Sequence, residues 1–284
     1  MKNTHLIIML LITIGILSCN SDNETGENNS IISQEIKELI YFIGNENAST
    51  VLINVQSGPD VELVTTDINE VIQSFSDNSF LTVNVHQAQT LHPNIITSNE
   101  ITFDEAIMID KETVELLFKV ISYFKEQGRT VYVFGQSFGA FVTQELIASK
   151  GINVADKYLI MIGRLDMNDI IWQGLSEGRY GFFENGINPI LEDEITSNII
   201  DRNLAKLAAG FGMNKYTQLF SDFQDLSKIT YIYGQRDEIV GSLTENEKEF
   251  LVSKNVNMIS GNGGHDETLS QYFMQGFEEA FGIK

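Results

Sequence analysis

Between residues 38 and 260, short runs rich in Val, Ile and aromatic residues alternate with longer stretches whose apolar positions recur every three or four residues. Unbroken or alternating apolar runs mark strands, and a period near 3.6 marks an amphipathic helix. The runs ELIYFIG (38–44), TVLINVQ (50–56), FLTVNVH (80–86), TVYVFG (130–135), KYLIMIG (157–163), ITYIYG (229–234) and VNMIS (256–260) predict strands. Most are followed by glycine or polar residues, as strand ends are. From Asp104 to Gln127, Val114, Leu117, Phe118, Ile121 and Phe124 share one helical face, and Gly128 stands where a C-terminal cap belongs. A second helix is predicted from Phe138, closed by Gly151. Strands alternating with helices predict an α/β protein with a mostly parallel central sheet and helices on both faces.

Two regions break this rhythm. Residues 167–225 lie between two predicted strands, exceed the usual connection length and hold the only tryptophan, Trp172, with a helical pattern around Leu204 and Leu207. They are expected to form an inserted helical cap, or else extra helices on the sheet edge with no gating role. At the other extreme, Leu6 to Leu17 is an apolar run too short to span a bilayer, preceded by Lys2 and followed by ILSC. The next residues, from Cys19 to about Ser33, are polar and acidic without apolar periodicity, which predicts a flexible tether. Three segments follow: a leader over 1–18, a tether over 19–33, and one large domain over 34–284.

The strand TVYVFG runs into GQSFG, residues 135–139. A G-x-S-x-G match arises by chance roughly 0.1 times in a chain of this length, so its setting decides its meaning. Strand, tight turn and helix form the setting in which such a serine is exposed as a nucleophile. A serine hydroxyl needs a base to take its proton and a third group to orient that base. Beyond the leader the histidines are His86, His92 and His265. His86 ends a strand and His92 precedes Pro93 in a loop, ordinary places for a histidine. His265, in GNGGHDE, follows the last predicted strand on a glycine-rich turn. Asp237, in YIYGQRDEIV, follows another, so the chain order reads Ser137, Asp237, His265. Asp166, in MIGRLDM, is the competing acid; it is expected instead to cap the helix suggested by NDIIWQGL.

With GQSFG as a nucleophile elbow, GQRDEIV as an acid loop and GGHD as a histidine loop, the chain resembles the α/β hydrolases over residues 34–284. That resemblance implies the α/β-hydrolase fold with Ser137 as nucleophile, His265 as base and acid, and Asp237 as its orienting carboxylate. It also implies an oxyanion hole formed by the N–H of Phe138 and, from the loop QSGP (56–59), the N–H of Ser57. QSGP is similar to the HGGP loop of these enzymes with Gln56 in place of His, and it also reads as a plain turn. The implied activity is carboxylic ester hydrolysis on a small-molecule substrate. A similarity of VQSGP to proline iminopeptidase-like enzymes offers peptide or amide cleavage instead, with Glu177, Glu184, Glu192 or Glu194 available to hold a substrate amine. A binding lipoprotein on a hydrolase fold without activity is the third reading.

ILSC resembles the lipobox of bacterial lipoproteins, which implies cleavage before Cys19, a lipid on Cys19, and anchorage in the bacterial cell envelope. Asn20, rather than Asp, after the cysteine points to the outer membrane. The alternative is an ordinary secretory peptide cut near Ser18. As the only cysteine, Cys19 rules out an intramolecular disulfide. A net charge of −21 argues against a nucleic-acid partner. No metal-ligand spacing or phosphate loop is present, so no cofactor is expected.

Overall fold

The computed structural model describes residues 32–65, 69, 70, 72, 75 and 79–284. The expected leader, Cys19 and the tether as far as residue 31 lie outside the described residues. Among those described, seven strands form one sheet: β1 (Ile40–Ile43), β2 (Thr50–Val55), β3 (Leu81–Val85), β4 (Thr130–Gln136), β5 (Lys157–Met161), β8 (Ile229–Gly234) and β9 (Asn257–Gly261). Their spatial order is β1-β3-β2-β4-β5-β8-β9. Only β1 runs antiparallel, on β3 at one edge; each of the other neighbouring pairs is parallel. The central strands are buried almost throughout. Strands covered on both faces read as continuous apolar runs, which is why the sequence marks them so clearly.

Helices cover both faces. On one side Val51, Ile53, Val131 and Val133 pack against α1 (Phe103–Glu126) and α2 (Phe138–Lys150). On the other, Leu52, Phe134, Leu159 and Ile232 meet a line of aromatic rings at Phe273, Phe277 and Phe281. The packed body takes in Ile32, and the Ser33 N–H donates to the Tyr123 hydroxyl at 2.8 Å, so the domain begins slightly before residue 34.

Between β5 and β8 the chain forms α3 (Asp169–Ser176), the hairpin β6 (Arg179–Glu184) and β7 (Asn188–Ile195), α4 (Ile199–Gly212) and one helical turn at Tyr216–Leu219. The insertion is therefore helical at its ends, with a β-hairpin between that the helical reading of the segment did not include. Phe183 is buried while Tyr180 and Phe182 stand exposed, the alternation of a strand with one covered face. Beyond β8 come α5 (Glu245–Ser253) and, after β9, α6 (His265–Phe281).

The insertion is joined to the body at an unusual seam. Asp110 of α1 is buried and its Oδ2 has no hydrogen-bond partner. A Cβ on Gly210 of α4 would fall on that same oxygen, so glycine is what lets the two helices approach. Burial drives the Asp110 carboxyl well above the ordinary carboxylate range, and the nearby Glu145 charge adds to the effect.

Candidate active site

Parallel strands deliver the loops after their C-terminal ends to one edge of the sheet, where α/β folds place their sites. Ser137 follows β4, Asp237 follows β8, and His265 follows β9. The structure brings all three together. The Ser137 Oγ lies 3.0 Å from His265 Nε2, and His265 Nδ1 lies 2.8 Å from Asp237 Oδ2. His265 and Asp237 are buried, at 6 % and 1 % exposure, while Ser137 is half-buried.

Each position has a local cause. Ser137 has φ 52° and ψ −118°, a strained conformation for a residue with a side chain. The flanking glycines make the turn possible. A Cβ on Gly135 would fall on the Thr143 hydroxyl and the Gly139 carbonyl, and one on Gly139 would fall on the Val55 and Gln56 carbonyls. Asp237 Oδ1 accepts the N–H groups of Ile239 and Val240 at 3.0 and 2.9 Å, which fixes the carboxylate and leaves Oδ2 for the imidazole. With His265 Nδ1–H donating to Asp237, the lone pair on Nε2 faces the serine hydroxyl. His265 is itself the first residue of α6, not part of a loop before it, and its backbone N–H donates to Glu238 Oε2 at 3.1 Å.

The other candidates fall elsewhere. His86 Nδ1 is 3.0 Å from the Thr90 hydroxyl, with a pKa lowered chiefly by burial, and His92 is exposed. Asp166 does not cap α3. That helix begins three residues later, and Asn168 caps it through the Ile170 N–H; Asp166 instead accepts the N–H and hydroxyl of Thr217 at 3.1 and 2.5 Å. It thereby ties the start of the insertion to its far end.

Phe138 opens α2, so its N–H belongs to the first turn, whose donors the helix cannot satisfy. The loop after β2 lies alongside, as the close approach of Gly139 to Val55 and Gln56 requires. Gln56 accepts the Val64 N–H and donates to the Glu62 carbonyl, closing its own loop. Gly58 and Pro59 line the cavity that contains Ser137, while Ser57 is exposed and lines a neighbouring hollow with Asp266 and Met274.

That cavity has a volume of about 370 Å³. Phe138, Phe141 and Val240 contribute from the body, and Ile171, Leu204 and Ala208 from the insertion. Its wall is mainly carbon, with one carboxylate, Asp201. Sequence reasoning missed Asp201. Its signal was phase: 201, 204, 205 and 208 share one face of α4. The four glutamates named for an amine-binding role do not line this cavity; Glu177 pairs with Arg179 at 2.7 Å, and Glu184, Glu192 and Glu194 are exposed.

No protein-family model matches the chain, and no curated protein matches it in sequence. Solved structures do match in fold. MGS-M2, an α/β hydrolase enzyme from a Medee basin deep-sea metagenome library, is 13 % identical, with a TM-score of 0.55 over 86 % of this chain and 94 % of that one. A structure of the metagenome-derived lipolytic enzymes LipS and LipT gives a TM-score of 0.54 at 10 % identity, over 86 % of this chain and 96 % of that one. A thermostable carboxyl esterase from Bacillus coagulans gives 0.52 at 12 % identity, over 86 % and 93 %. With its parallel sheet, flanking helices and these neighbours, the chain has the α/β-hydrolase fold.

Proposed function

We propose that the protein is a serine hydrolase that cleaves carboxylic esters. The observation that carries this reading is the unbroken hydrogen-bonded line from Ser137 through His265 to the buried Asp237, with Ser137 on the wall of an apolar cavity. In the first half-reaction Ser137 Oγ bonds to the acyl carbon as His265 Nε2 takes its proton, with Asp237 stabilising the resulting imidazolium. The carbon–oxygen bond to the alcohol then breaks, and the alkoxide leaves with the proton from His265. In the second, water gives a proton to His265 as its oxygen bonds to the acyl carbon; the bond from that carbon to Ser137 Oγ then breaks, the acid leaves, and His265 returns the proton to Ser137 Oγ. The negative charge that develops on the carbonyl oxygen falls to the Phe138 N–H and to a second N–H from the Gln56–Pro59 loop, for which Ser57 is the sequence-based choice.

A fluorophosphonate probe is expected to label Ser137 and to leave Ser137→Ala unmarked. Loss of the nucleophile in such a line lowers kcat by about 10⁶. Wild-type turnover by folded Ser137→Ala on each ester cleaved would overturn the mechanism.

The sequence also supports a lipid anchor at Cys19 and a place in the cell envelope. Metabolic labelling with a fatty-acid analogue tests it: label on the wild type and none on Cys19→Ala is the expected result, and equal labelling of both removes the anchor.

A further inference from the structure

The cavity beside Ser137 carries a single charged group, and the chain does not neutralise it. Asp201 sits in the first turn of α4, where helices favour an acid, so its position along the helix says little. Its surroundings say more. It shares a wall with Leu204, Ala205 and Ala208 and faces Ile171 and Leu175. Among the described residues no hydrogen bond or ion pair reaches its carboxylate. The cationic side chains of α4 and of the start of β6 are engaged elsewhere. Arg202 holds Glu100 and the Thr196 carbonyl, Lys206 holds Glu100 and the Ile101 carbonyl, and Arg179 holds Glu177.

The Tyr180 ring, 44 % exposed, lines the same cavity. Its hydroxyl pKa is raised by burial first, and then by the Asp201 and Glu192 carboxylates, which places both charges within electrostatic reach of that ring. An aromatic face beside an unneutralised carboxylate is what an alkylammonium group binds, through the ring quadrupole and the ion pair together. The arrangement also discriminates. A neutral substrate that drives water from this cavity leaves the carboxylate desolvated and unpaired, while a cation leaves it satisfied.

We infer that the cavity selects a substrate bearing a protonated amine or quaternary ammonium group, held between the Asp201 carboxylate and the Tyr180 ring while its acyl carbon meets Ser137. The inference deepens the ester-hydrolase reading and rests on it for the role of Ser137. It leaves open whether the acyl part or the leaving alcohol carries the charge, and the test separates the two.

The full-length protein is assayed with two isosteric pairs at low ionic strength. On the acyl side these are p-nitrophenyl 6-aminohexanoate and p-nitrophenyl heptanoate; on the leaving side, butyrylthiocholine and 3,3-dimethylbutyl thiobutyrate. In one pair the cationic member is expected to have a kcat/KM at least about tenfold higher, the low end of what one well-placed charged contact supplies. In Asp201→Asn the ratio is expected to fall close to one. Tyr180→Leu keeps an apolar wall and is expected to lower the ratio several-fold, which covers the case of an Asp201 variant that does not fold. Separately, calorimetry on Ser137→Ala is expected to show hexylammonium binding more tightly than hexanol, and adding Asp201→Asn is expected to abolish the difference. No preference for the cation in either pair, a preference that survives both variants, or equal binding of the two probes would each overturn the inference. If no ester is cleaved while hexylammonium still binds through Asp201, the hydrolase reading fails and the cation site stands.

Discussion

The sheet edge and the insertion over it are built on different terms. At the edge, backbone does much of the positioning: two peptide N–H groups hold Asp237, a strained turn holds Ser137, and His265 opens a helix with its imidazole on Asp237. The insertion is fixed largely by side chains, through Asp166 to Thr217, a buried Phe183, and two helices that meet at a glycine opposite an unpartnered acid. On the proposed function, changes at the edge are expected to act on chemistry, and changes in the insertion on which molecule arrives and on how firmly the wall stands.

The sharpest way to break that contrast is to exchange a carboxylate in each region for an amide. Asp237→Asn is expected to lower kcat by roughly 10⁴, the loss when a catalytic imidazole is deprived of its orienting acid. Asp166→Asn is expected to keep its rate and to lose about 1 kcal/mol of stability with the weakened tie to Thr217. Rates and denaturant midpoints of the two folded variants decide between them; the opposite ranking of kcat would transfer the orienting role to Asp166. A smaller effect is expected from filling the wall. Ala208→Trp should lower kcat/KM for a hexanoate ester by about tenfold or more, and for an acetate ester by less than about threefold, because volume added to the wall of the cavity excludes the longer acyl chain first. Equal losses on both esters would mean that the insertion shapes the machinery and not only the pocket.

An effect on stability alone lies at the seam. The folded-state pKa of Asp110 is raised above the ordinary value of 3.8, so folding holds its proton on. The unfolded chain binds fewer protons between those two values, and stability falls as pH rises through that window. Asp110→Asn has no such penalty. Its melting temperature should match the wild type near pH 3.8 and exceed it increasingly above, by a stability difference on the order of 1–3 kcal/mol at neutral pH, the usual cost of a buried group without a partner. A variant less stable than wild type at pH 7 would show that the acid has a partner worth keeping.

What the sequence disclosed follows the same division. Strands buried on both faces announce themselves by composition, so β1 to β5, β8 and β9 were legible to within about two residues. The loops after β4, β8 and β9 carry short motifs whose order along the chain is itself informative, and the structure brings their residues into hydrogen-bond contact. The insertion offered less. β6 and β7 pair only with each other, and much of the hairpin stays exposed, so its residues do not form an unbroken apolar run, and the alternation of burial in β6 is not matched by alternating apolar and polar residue types. Asp201 carries no motif at all; a first-turn acid looks the same whether it faces water or a cavity. Asp166 misled for a related reason, since an Asp before a helix suggests a cap, yet the neighbouring Asn168 filled that role and freed Asp166 for Thr217.

The connection from β5 to β8 also bears on how such a protein can change. The two strands are direct parallel neighbours, with Tyr158 opposite Ile229 and Met161 opposite Ile232. Parallel neighbours cannot be joined by a tight turn; the chain must travel back over the sheet through a dozen or more residues. The insertion is that return path, enlarged. Lineages can therefore lengthen, shorten or exchange it while both attachment points stay beside each other and Ser137 stays where it is. The wall over Ser137 becomes the interchangeable part of the design, and an engineer grafting a different return path between Gly163 and Leu226 would be repeating a move the topology already permits.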